Sequence, residues 1–363
     1  MDRFAARRSL ALKLLRKPDA EALLVTNFTN VTYLTGFTGD DSFLLLGARD
    51  AIVISDTRYE TQLQEECPEL KVRIRDQGTK MLDSVADVVQ SAKIRRLGVE
   101  SDAMTLSVYQ QLGDKLPKTS LIATSALVES LREIKDKEEV AEIVKAARYA
   151  EKAFAVLRAT LRGEQTEKEV ADDLEHQLRL FGAQGSSFPP IVSVGAQAAL
   201  PHARPTPRRI DSADFVLVDW GATARLYKSD LTRVLVTGRI SPKLERVYGL
   251  VLTAQERAIA AIRAGVTGAE VDAVARQVIA DAGYGKQFGH SLGHGIGLDI
   301  HEGPRLSSVN DQPLKAGMVV TVEPGIYLPG WGGVRIEDDV LVTKNGCEVL
   351  TRCGKAWAEA VVA

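Results

Sequence analysis

The sequence is poor in cysteine and has no long apolar run, and these shortages argue against two classes of protein. Its three cysteines, Cys67, Cys347 and Cys353, form no CxxC pair and leave an odd number, which disfavours a disulfide scaffold and suits a reducing compartment. No stretch approaches the ~18 apolar residues that a membrane span requires. Lys13 interrupts the short apolar stretch near the basic N-terminus, so we expect no signal peptide. These features predict a cytoplasmic protein with no membrane segment.

The sequence also lacks an excess of charge of either sign. Its 46 basic and 48 acidic residues leave a formal net charge of -2, so no overall field attracts nucleic acid or an acidic membrane, and we expect neither as a partner. With 363 residues, 45% of them hydrophobic and 26% charged, the composition is that of a globular protein too long for one ordinary domain. We therefore expect two domains.

The pattern of residues changes near residue 128. Before it, apolar strand-like runs alternate with helix-like stretches, which is typical of an α/β domain. The strand-like runs are Leu23–Val25, Phe43–Leu46, Ala51–Ser55, Val72–Arg75 and Arg96–Val99, and the helix-like stretches are Glu60–Cys67, Met81–Ala92 and Thr105–Leu116. The sequence thus predicts an α/β domain over residues 1–127 and a second domain over residues 128–363.

The second domain begins with helices and continues with short strands. Apolar residues recur at three- and four-residue steps over residues 140–161, which predicts one long amphipathic helix. Two pairs resemble capping boxes at helix starts: Asp136 with Glu139, and Thr166 with Glu169. From Phe215 onward short β-rich runs dominate, interrupted by two expected helices, Lys243–Ala264 and Val271–Ala282.

Histidine is scarce, yet three of the five histidines, His290, His294 and His301, lie within twelve residues of a Gly-rich segment. Four acids lie nearby at the ends of, or within, apolar strand-like runs: Asp219, Asp230, Glu323 and Glu337. A lone strand-terminal Asp is usually a turn or cap residue, and a lone His among glycines is often a loop residue. Because carboxylates are rarely buried without a partner, five such positions in one domain predict bound cations.

Strand pairing can bring these acids together. Phe215–Val218 predicts a buried strand that ends in Asp219, and Asp230–Val236 predicts its antiparallel return. A strand over Val319–Val322 would lead into Glu323.

A further strand predicted over Val334–Val342 would carry Glu337 to the same place. Four carboxylates balance the charge of two divalent ions, which would readily deprotonate a bridging water. Oxygen-rich ligation with one nitrogen favours manganese, with cobalt, zinc or iron as alternatives.

The sequence motifs around these residues resemble those of a known family. They are Val218–Gly221, Ser229–Arg233, Gly289–Glu302, Thr321–Gly325 and Arg335–Asp339. The ordered set resembles the metallopeptidases of the pita-bread fold, and in particular the Xaa-Pro peptidases prolidase and aminopeptidase P. Asn30–Phe37 and Asp56–Tyr59 resemble the creatinase-type N-terminal domain, which methionine aminopeptidases lack. The resemblance covers the whole chain and implies an α/β N-terminal domain followed by an α+β pita-bread catalytic domain.

The resemblance implies a role for each ligand. Asp219 would bind one metal ion, His294 and Glu323 would bind the other, and Asp230 and Glu337 would bridge both. Glu323 would also act as general base.

The resemblance further implies roles for residues around the ions. His202 and His301 would contact substrate and stabilise or shuttle protons in the tetrahedral intermediate, and His290 would be a further pocket histidine. Imidazoles suit these roles because their ordinary pKa, ~6.5, is close to working pH. Arg335 would orient the centre at the substrate pocket, whereas His176, within a predicted helix, is expected to be structural.

Three residues are candidates for substrate selection. Phe188 and Ile300 would form an apolar proline pocket, although either could be plain core, and Arg305 resembles an arginine that holds the carboxylate of a dipeptide. These features favour Xaa-Pro dipeptidase activity, with aminopeptidase P as the near alternative. A non-catalytic pita-bread binding protein and creatinase are less favoured because all five ligands are present. The resemblance also implies a homodimer formed with help from the N-terminal domain.

Overall fold

The computed structural model describes residues 2–362. Contacts between residues divide the chain into two units, Met1–Arg132 and Glu133–Ala363. Within the described residues, no helix combines the length and the apolar character needed to cross a membrane.

The first unit is built on one mixed six-stranded sheet. Its strands are β1 (Ala22–Val25), β2 (Phe43–Gly47), β3 (Ala51–Asp56), β4 (Lys71–Arg75), β5 (Arg96–Glu100) and β6 (Ser120–Thr124), in the order β4-β3-β2-β1-β5-β6. Its helices are α1 (Arg3–Leu14), α2 (Phe28–Thr35), α3 (Glu60–Glu66), α4 (Met81–Ser91), α5 (Leu106–Lys115) and α6 (Glu129–Arg132). The β1–β2 and β2–β3 pairs are antiparallel, and the others are parallel. This architecture confirms the predicted α/β class.

The second unit mixes long helices with short strands. Its helices are α7 (Lys137–Thr160), α8 (Glu167–Leu180), α9 (Pro242–Ala261), α10 (Gly268–Asp281) and α11 (Trp357–Ala360), with short 3-10 turns at Gly195–Ala199, Ile210–Ser212 and Gly285–Gln287. Its strands are β7 (Gly185–Ser186), β8 (Ile191–Val194), β9 (Phe215–Trp220), β10 (Ala222–Ala224), β11 (Tyr227–Lys228), β12 (Leu231–Val236), β13 (Gly293–Gly295), β14 (Glu302–Leu306), β15 (Val319–Val322), β16 (Gly325–Leu328), β17 (Gly332–Arg335), β18 (Asp338–Val342) and β19 (Cys347–Val349).

Four sheets assemble in this unit: β12-β9-β8, β11-β10-β7, β14-β13-β15-β18-β19 and β16-β17. Strand β9 is buried along its whole length because it contributes to two cores. Phe215 and Leu217 pack in the core of helices α9 and α10, and Val216 and Val218 pack in the core of α7 and α8. This alternation places Asp219 on the same side of the strand as Leu217.

Candidate metal centre

The five candidate ligands line one cavity of about 500 Å³ in the second unit; they are Asp219, Asp230, His294, Glu323 and Glu337. The other candidate site residues line the same cavity: Phe188, His202, His290, Ile300, His301, Arg305 and Arg335. Donor atoms of Asp230, His294 and Glu337 all lie within 4.8 Å of one another. Folding therefore brings together residues that are distant in sequence.

An antiparallel strand pair positions Asp219 and Asp230, as the sequence predicts. Asp219 lies in β9, and Asp230 immediately precedes β12. Thr232 lies directly opposite Asp219 in the register. Because side chains alternate across a strand, Asp230 and Thr232 share the face on which Asp219 lies. Both carboxylates are buried.

Glu337 lies between two strands, so the single strand predicted over Val334–Val342 is wrong. Strand β17 ends at Arg335 in the two-stranded sheet, and β18 begins at Asp338 in the five-stranded sheet. At this change of sheet the Glu337 N–H donates to Thr232 O at 3.2 Å. Thr232 Oγ1 donates to Glu337 Oε2 at 2.6 Å. These two bonds tie Glu337 to the strand that follows Asp230.

The imidazole of His294 directs one nitrogen at the acids. Its Nδ1 lies 3.0 Å from Gly295 O, and because a carbonyl only accepts, Nδ1 carries the proton. Nε2 then has the lone pair and lies 3.5 Å from Glu323 Oε1 and 3.7 Å from Asp230 Oδ2. Burial lowers the pKa of His294 to about 4, so the ring is neutral near pH 7. A neutral ring with one nitrogen held by a carbonyl is the form that binds divalent metals.

Close packing explains the glycine after His294, and hydrogen bonds explain one threonine that the sequence does not predict. A Cβ on Gly295 would lie 2.0 Å from Gly303 O, so no larger residue fits there. The His294 N–H donates to Thr321 Oγ1 at 3.1 Å, and this hydroxyl donates to Glu323 Oε1 at 3.4 Å. Thr321 thus orders two candidate ligands, although a buried threonine has no spacing signal in the sequence.

The acids are too crowded to ionise together without cations. Burial raises the pKa of Asp219 and raises that of Glu323 to about 8. Burial, reinforced by neighbouring acids, raises the pKa of Asp230 and Glu337 well above the ordinary range. Within residues 2–362, Asp219 Oδ1 and Asp230 Oδ1 are buried without a hydrogen-bond partner, which is unfavourable for a carboxylate. Divalent cations would supply both the missing charge and the missing partners, so the donor set fits them.

Arg335 is buried beside the acids and bonds to one of them and to two neighbouring hydroxyls. Its Nη2 forms an ion pair with Asp219 Oδ2, and its Nε donates to Thr232 Oγ1 at 3.0 Å. Its Nη1 donates to Tyr327 Oη at 2.8 Å, which lies 3.0 Å from His290 Nε2. Tyr327 and Thr232 are further members of the site that sequence reasoning does not identify.

The other histidines differ in position. His301 packs edge-on against His294, with ring centroids 4.4 Å apart, and burial lowers its pKa. His202 is exposed at the wall of the cavity. His176 is exposed on α8 and does not line the cavity.

The cavity also has an apolar part and a cationic part. Phe188 and Ile300 are half-buried in its wall, and Arg305 is exposed there. Within the described chain, Arg305 has no ion-pair partner. The cavity wall can therefore contact both an apolar ring and a free carboxylate of a bound molecule.

Helix α10 holds the segment that leads to His294. Asp272 Oδ1 accepts from the Leu292 N–H at 3.1 Å. Arg276 pairs with Asp272 at 2.8 Å and donates to the carbonyls of Phe288 and His290, both at 2.9 Å. The four-residue spacing of Asp272 and Arg276 is visible in the sequence, but the contacts of this pair with a distant loop are not.

Comparison with known proteins gives matches along nearly the whole chain. The model of metallopeptidase family M24 matches residues 141–344, and that of the creatinase/prolidase N-terminal domain matches residues 7–134. A Xaa-Pro dipeptidase of Pyrococcus horikoshii is 35% identical over 344 residues, which is 94% of this chain and 95% of the relative.

Solved structures agree in fold. A Xaa-Pro dipeptidase from Bacillus anthracis is 40% identical, with a TM-score of 0.94 and coverage of 97% of this chain and 98% of that one. An X-Pro aminopeptidase from Thermotoga maritima is 38% identical, with a TM-score of 0.89 and coverage of 95% and 99%. The chain therefore belongs to metallopeptidase family M24, with a creatinase/prolidase N-terminal domain and a pita-bread catalytic domain.

Proposed function

We propose that this chain is a Xaa-Pro dipeptidase that uses two divalent metal ions. The observation that supports this most directly is the cavity shared by three buried carboxylates, the half-buried Glu323, His294 and the exposed Arg305. In a Xaa-Pro dipeptide the free carboxylate is close to the scissile bond, so a cationic group near the acids suits it. The relatives from Pyrococcus horikoshii and Bacillus anthracis bear the name Xaa-Pro dipeptidase.

The proposed ligand assignment is the one that the family resemblance implies, and all five residues line the cavity. Asp219 would hold one ion, His294 and Glu323 the other, and Asp230 and Glu337 both. A bound pair of ions would supply Lewis-acid activation of water and of the peptide carbonyl. We propose manganese because the donors are mostly oxygen, with cobalt, zinc or iron as alternatives.

The remaining chemistry falls to side chains. Glu323 would accept the proton of the attacking water at its carboxylate, oriented by Thr321 Oγ1 at 3.4 Å. His301 and His202 would donate hydrogen bonds to the carbonyl oxygen as its charge grows, or move protons there. Phe188 and Ile300 would contact the proline ring, and His290 would stay fixed behind the pocket through Tyr327.

The metal proposal is tested by chelation and reloading. Metal analysis should give about two ions per chain, and Asp230→Ala or Glu337→Ala should lose most of both. A fully active metal-free preparation would refute it.

The dipeptide proposal is tested with Arg305→Ala. If the guanidinium binds the terminal carboxylate, kcat/KM for a Xaa-Pro dipeptide should fall roughly ten- to a hundredfold, because such a bond contributes ~1.5–3 kcal/mol. Xaa-Pro tripeptides should be spared. Arg204→Ala is the matched control, since Arg204 is also an exposed arginine of the cavity wall. Equal losses on both substrates would refute recognition of the carboxylate.

Aminopeptidase P activity is the second candidate, supported by the likeness to the Thermotoga maritima X-Pro aminopeptidase. In that case Arg305→Ala should affect neither substrate, and wild type should prefer the tripeptide.

We further propose that the chain is cytoplasmic and forms a homodimer. Its three free cysteines support a reducing compartment. Light scattering after size-exclusion chromatography should give twice the 39.4 kDa chain mass, and a monomer at micromolar concentration would contradict the dimer.

A further inference from the structure

One buried carboxylate joins the two ends of the segment that carries His202. We call residues 195–205 the His202 loop. Glu167, the first residue of α8, is fully buried. Its Oε1 accepts from the Val194 N–H at 2.8 Å. Its Oε2 accepts from the Thr206 N–H at 2.9 Å and from Thr206 Oγ1 at 2.6 Å.

The position of His202 depends on this backbone. Within residues 2–362, its exposed imidazole has no hydrogen-bond partner, so no hydrogen bond of its own ring holds it in place. Pro201, Ala203, Arg204 and Pro205 line the cavity together with His202. A shift of this loop would therefore move one whole wall of the cavity.

On its other side, the His202 loop contacts strand β17. A Cβ on Gly333 would lie 2.0 Å from Ala198 O, so the strand and the loop are in close contact. Arg335 Nη1 donates to Pro201 O at 3.5 Å. The loop is thus fixed from two sides, and loss of the contacts to Glu167 would loosen it while the support from β17 remains.

We propose that Glu167 is a positioning residue that sets the place of His202 against the substrate by fixing both ends of the His202 loop. The inference rests on the proposed function, in which His202 contacts the substrate. Glu167 lines no part of the cavity, so its effect passes through the loop. A misplacement of about 1 Å in a catalytic group can cost about a hundredfold in rate.

The test is Glu167→Gln, because the amide of glutamine would place an N–H group against a donor from which the carboxylate now accepts. We expect kcat on a Leu-Pro dipeptide to fall roughly ten- to a hundredfold, while manganese affinity, measured by titration of the chelated protein, stays within about twofold. In a His202→Ala background the same change should lower kcat by less than about twofold, because no imidazole remains to be positioned. A full multiplicative loss in that background, or an equal loss of manganese affinity, would overturn the proposal.

Glu169→Gln is the matched control. Glu169 is two residues further along α8, and within the described residues the hydrogen bonds of its carboxylate go to Thr166 alone, in the capping box. Glutamine also serves in such boxes, so activity should not change. If Glu167→Gln does not fold, Thr206→Val removes one of the three bonds. It should lower kcat by a smaller factor, with the same dependence on His202.

Hydrogen exchange separates this inference from the proposed function. Amide exchange in residues 195–205 should rise in Glu167→Gln and not in Glu169→Gln, whatever the substrate. Unchanged exchange would overturn the positioning role. A wild-type protein inactive on Leu-Pro would instead refute the dipeptidase proposal.

Discussion

Replacement of Arg233 tests how the chain is held where it changes sheets. This residue follows Thr232 on β12 and so points to the opposite face of the strand. Its Nη1 donates to the carbonyls of Glu337 and Thr232 at 2.5 and 2.9 Å. Its Nη2 donates to Asp338 Oδ1 at 2.7 Å and Cys353 O at 2.6 Å. One guanidinium thus fixes the backbone that presents a candidate metal ligand.

The expected magnitude follows from burial. Arg233 is 2% exposed, and removal of one partner of a buried ion pair costs about 3–5 kcal/mol. We expect Arg233→Met to lower the free energy of unfolding of the second unit by about that amount. Asp338 keeps Lys355 Nζ at 2.6 Å and Gln255 Nε2 at 2.8 Å. Lys355→Met should cost only about 1–2 kcal/mol, because this lysine is partly exposed and its ammonium group bonds to the side chains of Asp338 and Gln255.

Urea unfolding of the chelated protein, followed by tryptophan fluorescence, measures this difference. All three tryptophans, Trp220, Trp331 and Trp357, lie in the second unit, so the signal reports that unit. Manganese affinity should fall in Arg233→Met and be retained in Lys355→Met. Equal destabilisation by both changes would show that the charge of Asp338 matters and the carbonyl contacts do not.

Three further outcomes are expected. Burial raises the pKa of Glu323 from 4.5 to about 8. This group therefore stabilises the metal-free chain at low pH, and its contribution should be lost as pH rises from 4.5 through about 8. Thermal midpoints measured with chelator should show the loss, and midpoints with saturating manganese should not. His301→Ala should lower kcat about 10²–10³-fold, and a change in KM alone would exclude a transition-state role. Gly295→Ala should abolish metal binding, because its Cβ would meet Gly303 O, whereas Gly289→Ala has open space and should retain it; metal analysis of both variants decides the matter.

The helices of the second unit are predictable because their signals are local. The acids of both expected capping boxes bond as predicted, and the helices begin at Lys137 and Glu167. Helix Phe28–Thr35 has no such periodic signal and is rich in threonine. Six of its eight residues are buried, so tertiary packing overrides weak propensity, and Asn27 and Gly36 cap its two ends.

Composition and periodicity do not separate the roles of three consecutive acids, of which the family resemblance singles out Glu337 alone. Glu337 lines the cavity, whereas Asp338 faces Arg233, and Asp339 accepts from the Asp230 N–H at 3.1 Å. Burial raises the pKa of Asp338, but Arg233 and other cations lower it below its ordinary value. The change of sheet separates Glu337 from the two aspartates, which are neighbours on β18 and point to opposite faces of it. No periodicity in the sequence marks the change of sheet.

The distribution of the candidate ligands has a consequence for folding. They come from the β12-β9-β8 sheet, from the five-stranded sheet and from the junction with β16-β17, between residues 219 and 337. Contacts of such sequence separation form late, because loop closure precedes them. In the growing chain the site is incomplete until Glu337 has been synthesised, and bringing the acids together then works against their mutual repulsion. Ions that bind only the finished site would favour the folded chain, by ~2.7 kcal/mol at a concentration one hundred times the Kd. Metal supply during synthesis would then govern the yield of folded protein as well as its activity.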